Sequence, residues 1–407
     1  MSVSPDGQAG PLDGLVVVDF SRIVSGPFAT QILGDLGADV IKVERLDTGD
    51  EVRSYGVDDV ERMPGATFLA MNRNKRSICL DVRTPRGREV ARRLLVACDI
   101  ALHNFRVGVM ERLGLGYHEV AAENARLIYC SISGFGTVGP LRESPANDLA
   151  IQAHTGLLSI TGTPSGEPVR NPTPVSDMTA GLYAVIGILA ALNHRHQTGV
   201  GQHVETNMYE GQLNMLNYMF IDYWVNGVVP RKMGTGNRMG LPNQAFPTSD
   251  GWICLVAASE PIWARCCDAL GVPDLATDPR FRSLKDRYAN REALERELSK
   301  VTSRFTTAEC LDRLHTARVA SAPVNTLPEV SVDAQFKALS GAGGVVTMPV
   351  GSLGDVPLIM SPLHMSATGV SARLPPPQLG EHTDEVLAAL GYSVEEVTDL
   401  RAQGVVA

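Results

Sequence analysis

LVVVDFSRIVSGPFATQILGDLGADVIKVER, Leu15 to Arg45, is the stretch that decides the fold. It opens on LVVVDF, a continuous apolar run ending in an aspartate and a phenylalanine. The turn-like SRIVSGP and an amphipathic segment from Phe28 to Gly37 follow, and a second short apolar run, Asp39 to Val43, ends at Glu44 and Arg45. Strand, helix and strand in about 30 residues predict a parallel pair with a crossover helix, because parallel strands need a long connection and are covered on both faces. The pattern repeats downstream. Ser77 to Asp81, Ile100 to His103 and Leu127 to Ser133 predict strands, and Pro85 to Cys98 predicts a helix with proline in its first turn. Asn147 to Leu158 reads as a helix interrupted only by Gly156. Met178 to Arg195 predicts a helix buried on most faces, stopped at Gly199 to Gly201, with a strand from His203 to Met208 and a helix from Tyr209 to Trp224 after it.

After Asn226 the composition changes. VVPRKMGTGNRMGLPNQAF is glycine-rich and basic and reads as the linker into a second lobe. Amphipathic helical segments lie between Glu260 and Arg318. Two strands, Gly344 to Pro349 and Val356 to Met360, come later, and a last helix, Thr383 to Leu390, is expected to close the chain.

Several classes are excluded by composition. The chain has 407 residues, 44% hydrophobic and 20% charged, enough apolar surface for a core and enough length for two lobes. With 45 acidic against 36 basic residues the net charge is -9, which predicts a cytoplasmic protein and argues against a nonspecific nucleic-acid partner. Seven scattered cysteines without zinc spacing predict reduced thiols and no metal site. Met1 to Gly10 is polar, unlike a signal peptide, and the apolar run Leu182 to Leu192 is about half the roughly 20 residues of a membrane helix, so no membrane partner is expected.

The chemistry-bearing residues are fewer. GFGTVGP lacks the lysine and spacing of a phosphate-cradling loop, SRIVSGP has one glycine where a dinucleotide fingerprint needs three, and no G-x-S-x-G elbow occurs. Loops at the carboxyl ends of parallel strands still form a crevice, and Arg45, Arg73, Lys75, Arg76, Arg106 and Arg112 cluster near those ends. They are either solvated surface charges or phosphate clamps. Asp177, just before the apolar helix, is either its N-cap or a nucleophilic carboxylate sharpened by the positive helix end.

Taken together, PLDGLVVVDFSRIVSGPFATQILGDLGADVIKVER, NRNKRSICLD, ARLIYCSISGFGTVGP, SDMTAGLYAVIGILAAL with TGVGQHVE, and LGEHTDEVL resemble the class III coenzyme A transferases over Pro11 to Val406. That resemblance implies an α/β fold with a Rossmann-like large domain, a smaller α+β domain and an interlocked homodimer. The large domain would comprise residues 1–225 and, returning to it, 326–407; the small domain with its linkers would be 226–325. It further implies that Asp177 attacks an acyl-CoA thioester, passing through an acyl-aspartyl anhydride and an aspartyl-CoA thioester. No cofactor would be bound permanently, and coenzyme A would enter as a thioester substrate together with a carboxylic acid. Val24, Ser25, Arg45, Asn104, Phe105 and Arg112 carry over as CoA-binding residues, with Arg73, Lys75 and Arg76 as further phosphate contacts. Arg170, Arg231 and Arg238 are candidates for the remote carboxylate of a succinate-like acid. A similar subgroup, the 2-methylacyl-CoA racemases, uses a histidine where SPANDLAIQ has Asn147, and an amide has no pKa suited to base catalysis. A noncatalytic acyl-CoA-binding protein would lack the aspartate, which is present.

Overall fold

In the computed structural model, which describes residues 9–55 and 65–407, six strands form one parallel sheet. They are β1 (Val16–Asp19), β2 (Asp39–Glu44), β3 (Lys75–Cys79), β4 (Ile100–His103), β5 (Ile128–Ser133) and β6 (His203–Asn207). Their order is β3-β2-β1-β4-β5-β6, the doubly wound arrangement. Pairing is in register from Val16 opposite Asp39 and from Val17 opposite Ile100. Successive strand residues point to opposite faces, so Val18, Ile41 and Val43 join one core while Val17, Val40 and Leu102 join the other.

Helices close both faces. α1 (Ser25–Asp35) carries the chain from β1 to β2. α2 (Pro85–Ala97) starts where Thr84 Oγ1 accepts the Gly87 N–H at 2.9 Å, and it buries Val90, Leu94 and Leu95 in the first core. α3 (Asp148–His154) is capped by Asn147. α4 (Val175–Thr198) is 24 residues long, more than its apolar run promised, and passes the length and composition test for a membrane span. Its Ala180, Ala184 and Ile188 nevertheless lie in the second sheet core, packed beside α1. α5 (Met208–Met215) and α6 (Asn217–Asn226) follow.

The chain divides into two compact units. Among the described residues the first comprises 9–55, 65–157, 170–228 and 338–407, and the second 158–169 and 229–337. The second is thus wider than 226–325 and takes in a segment ahead of α4; residues 1–8 and 56–64 of the expected large domain lie outside the described ones. Within it β7 (Asn243–Pro247), β8 (Trp252–Val256) and β9 (Ala320–Pro323) form an antiparallel sheet over Trp263, Cys266, Cys267, Leu298 and Leu314. The first unit adds the hairpin β10 (Val345–Pro349) and β11 (Asp355–Ile359).

The chain does not close at Leu390. A further helix, Val394–Ala402, starts with a capping box between Ser393 and Glu396, and the tail pairs Leu80 with Val406 beyond the edge strand β3.

Candidate active site

The strand order reverses between β1 and β4, and in a doubly wound sheet the crevice opens where it does. The loop after β1 enters this crevice. Val24 and Ser25 are buried at the start of α1, and the Ser25 hydroxyl and backbone N–H face Asp177 closely enough to favour its ionised form. Asp177 is in the first turn of α4, where helix N–H groups without intrahelical partners favour a negative charge. The cap position belongs to Pro174, which removes the capping explanation for this aspartate. Close approach of α4 to the loop depends on Gly181, one turn on: a Cβ there would stand 2.6 Å from the Ser25 carbonyl oxygen.

Burial pushes the Asp177 pKa up to about 7, and Asp148 adds to the rise, while the Ser25 hydroxyl and N–H and the charge of Arg170 oppose it. Asp148 is buried at the first position of α3. Its carboxylate accepts the Ser176 N–H at 2.9 Å and the Gln152 amide at 2.6 Å, and Arg170 pairs with it at 3.5 Å. Asn147, at the position of the racemase histidine, accepts the Ala150 N–H at 2.9 Å and so caps α3.

Beyond the same loop lies a cavity of about 810 Å³. Arg22, Arg45, Arg83, Arg106 and Arg112 line it, with Phe105 among its apolar members. Arg45 pairs with Glu51 at 3.1 Å, and Arg22 pairs with the same carboxylate at 2.6 Å while lying 5.0 Å from the centre of the Phe105 ring. Guanidinium groups around an apolar recess suit a phosphorylated ligand with an aromatic or aliphatic arm. Asn104 is engaged in holding the loop. Its amide donates to the Arg22 carbonyl at 2.7 Å and to Ser25 Oγ at 3.2 Å, and its oxygen accepts the Arg22 N–H at 2.9 Å.

The phosphate role expected of Arg73, Lys75 and Arg76 is not what the structure supports. Arg73 is buried against Asp35 at 2.6 Å and donates to the Ile359 carbonyl. Lys75 is buried in the sheet, bonded to Asp19 at 3.1 Å, and burial brings its pKa down to about 8. Arg76 pairs with Asp39 at 2.5 Å and with Glu385 at 3.0 Å. All three are matched to carboxylates distant in sequence, and none lines the cavity. Arg170 is half exposed beside Asp148, in the unit that holds Asp177; Arg231 and Arg238 are exposed and belong to the second unit. The sequence reading missed Arg83, Asp148 and a Ser131 hydroxyl bracketed by His103 at 3.0 Å and His203 at 2.9 Å. A hydrogen-bond partner 28 or 72 residues away leaves no local trace.

A doubly wound sheet with a raised-pKa carboxylate and an arginine-lined cavity near its switch point defines an α/β protein with a charged crevice at the carboxyl ends of its strands. The chain belongs to CoA-transferase family III, whose sequence pattern matches residues 12–383. It is similar to the succinate–glutarate CoA-transferase of Agrobacterium fabrum, 34% identical over 385 residues that cover 93% of this chain and 96% of that one. It is also similar to the acetyl-CoA:oxalate CoA-transferase of Acetobacter aceti, 38% identical over 349 residues, 84% and 89% of the two chains. The crystal structure of a CAIB/BAIF family protein from Brucella suis matches it with a TM-score of 0.83 at 36% identity, covering 94% of this chain and 100% of that one. These likenesses support a transferase.

Proposed function

We propose that the protein moves coenzyme A from an acyl-CoA donor to a carboxylic acid acceptor, with Asp177 as the covalent carrier. The carrying observation is a carboxylate in a helix first turn beside the buried Ser25 loop, with its pKa raised by burial and that rise opposed by Ser25. In the ionised form an Asp177 oxygen attacks the thioester carbonyl carbon. The C–S bond breaks, CoA leaves as thiolate and an acyl-aspartyl anhydride remains. The thiolate then attacks the aspartyl carbonyl carbon, expelling the donor acid and leaving an aspartyl-CoA thioester. The acceptor carboxylate attacks that thioester to form a second anhydride and release the thiolate again. Attack of the thiolate on the acceptor's acyl carbon yields the new acyl-CoA and regenerates the Asp177 carboxylate. No resident cofactor is needed, because each intermediate stores the activation of the thioester it replaced.

The arginines of the cavity, Arg45 and Arg112 among them, would receive the phosphates, and Phe105 the aromatic or pantetheine portion. A dicarboxylic acid is the proposed acceptor class. Arg170 is within electrostatic reach of Asp177, its contact with Asp148 is long at 3.5 Å, and the Agrobacterium relative is named for two dicarboxylic acids. Arg231 and Arg238 remain alternatives for the same contact. Asn147, employed as a cap, supports transferase over racemase. A homodimer is proposed as well: α6 buries none of its residues within one chain although Tyr218, Ile221, Trp224 and Val225 are apolar, and α4 exposes Leu182 and Ile186.

Asp177→Ala tests the central claim. CoA exchange should fall by several orders of magnitude, about 10³-fold or more, as for loss of a covalent nucleophile, with the thermal transition retained. Mass spectrometry of enzyme trapped with acyl-CoA should place the adduct on Asp177. Near wild-type exchange by the variant, or an adduct elsewhere, would reject the mechanism.

A further inference from the structure

The loop that aims Ser25 at Asp177 passes through a conformation its own residue opposes. Ile23 has φ +71°, in the left-handed region, which a β-branched side chain enters only under constraint. Its side chain is 40% exposed, so packing does not hold it there. The constraint comes from the backbone's partners. The Ile23 N–H donates to Asp50 Oδ1 at 3.0 Å, and the same oxygen accepts the Val52 N–H at 3.2 Å. Asp50 is buried and rests on Lys42, whose ammonium reaches it at 2.8 Å and also donates to the Ser21 carbonyl at 2.9 Å. Lys42 is fully buried. Burial works against its charge, but Asp50, Asp19 and Glu44 outweigh it and hold the pKa above the ordinary lysine value. Asp19, with Lys75 behind it, secures the other side of the turn by accepting the Ser21 N–H at 2.8 Å. A strained residue persists where its surroundings over-determine it, and here they do so two positions before Ser25.

We propose that Asp50, seated on Lys42, is a positioning residue for the reaction: it holds Ile23 in the left-handed conformation that directs the Ser25 N–H and hydroxyl at Asp177. This rests on the reading of Asp177 as the nucleophile. Asp50 touches no reacting atom in this scheme and acts through the loop alone. Released, the Ile23 backbone relaxes toward negative φ, Ser25 turns away, and Asp177 loses the Ser25 influence that favours its ionised form. Asp148 then remains to oppose ionisation and Arg170 to favour it, so the midpoint of Asp177 rises.

The test is the titration of Asp177, followed by the infrared band of its protonated carboxyl, the band that disappears in Asp177→Asn. In Asp50→Asn one amide oxygen cannot serve both Lys42 and the two N–H groups. The midpoint should rise by about one pH unit, a tenfold change in the ionisation constant. The rate per substrate concentration should fall roughly five- to tenfold near pH 7 and recover near pH 9. Glycine adopts positive φ without penalty, so in an Ile23→Gly background the same Asp50→Asn change should move the midpoint by less than half as much. If Asp50→Asn does not fold because Lys42 is left unpaired, Asp50→Glu keeps the charge while misplacing the acceptor and should show the same shift and the same suppression. An unmoved midpoint, or a shift equal in the Ile23 and Ile23→Gly backgrounds, overturns the proposal. A shifted infrared midpoint without a matching change in the rate profile would instead indict Asp177 as nucleophile.

Discussion

As the proposed nucleophile, Asp177 would set activity and stability against each other. Its pKa is raised by burial and then by Asp148, from an ordinary carboxylate value to about 7. A carboxylate whose folded pKa lies above its unfolded value favours the fold while protonated; that contribution is complete below about pH 4 and is lost as pH rises through about 7. As the proposed nucleophile Asp177 needs the opposite state. Rate per substrate concentration should therefore climb through about pH 7, while the melting temperature of the free enzyme declines between about pH 4 and 7 more steeply than that of Asp177→Asn. Equal slopes for the two proteins would show that this aspartate is not perturbed. Arg170 makes a second residue-level prediction. With one acyl-CoA donor, succinate should outperform butyrate as acceptor by roughly tenfold to hundredfold, the value of one charge-assisted hydrogen bond, and Arg170→Ala should abolish the preference. If Arg231→Ala or Arg238→Ala abolishes it instead, Arg170 is not the contact. At this scale a carboxylate before an apolar helix marked Asp177 as either a cap or a nucleophile, and only the family resemblance brought in the nucleophilic role and Ser25. The sequence did not disclose the partners of Arg73, Lys75 and Arg76. A run of basic residues looks solvent-facing until Asp35, Asp19 and Asp39 are seen beside it, and those contacts are 37 to 56 residues away.

At the level of elements, the meeting of α1 and α4 is the joint on which the site turns. Gly181 faces the Ser25 carbonyl, and Phe28 stands 3.1 Å from where its Cβ would be. Gly181→Ala should force α4 outward. Overpacking of this kind costs about 1–3 kcal/mol in stability. The larger expected effect is catalytic, about a hundredfold loss in rate, since displacements near 1 Å at a reacting group cost that much. Thermal melting beside CoA-exchange kinetics measures both, and a variant with wild-type rate would show the joint to be loose. The strands and helices of the first unit were legible because buried parallel strands are continuous apolar runs and their crossover helices carry their own period. The helix Val394–Ala402 escaped notice because its first turn is acidic, with Glu395 and Glu396, and only Val397 and Leu400 are buried. The second unit's loop 158–169 was also missed, since its membership depends on contacts and not on composition.

On the scale of the whole molecule, the exposed apolar surfaces of α4 and α6 argue for a second copy. The protein should sediment as a dimer at micromolar concentration, and a monomer there would reject the assembly. Linked rings would have a further property: tagged and untagged dimers, mixed under native conditions, should fail to exchange subunits until they are unfolded and refolded together. Neither the assembly nor its threading is legible in the amino-acid pattern alone, because an apolar helix face looks the same whether an intramolecular neighbour or a second chain covers it. The return of the tail has a consequence in time. Val405 accepts the Asp81 N–H at 2.9 Å, Val406 pairs with Leu80, and Gly404 forms part of the wall of the arginine-lined cavity. During synthesis this wall stays incomplete until residues beyond 400 have left the ribosome. The second unit, whose last segment ends at Lys337, can assemble earlier. A nascent chain therefore gains its complete cavity wall only after residues 404–406 have emerged, which delays capture of ligand by a chain still folding.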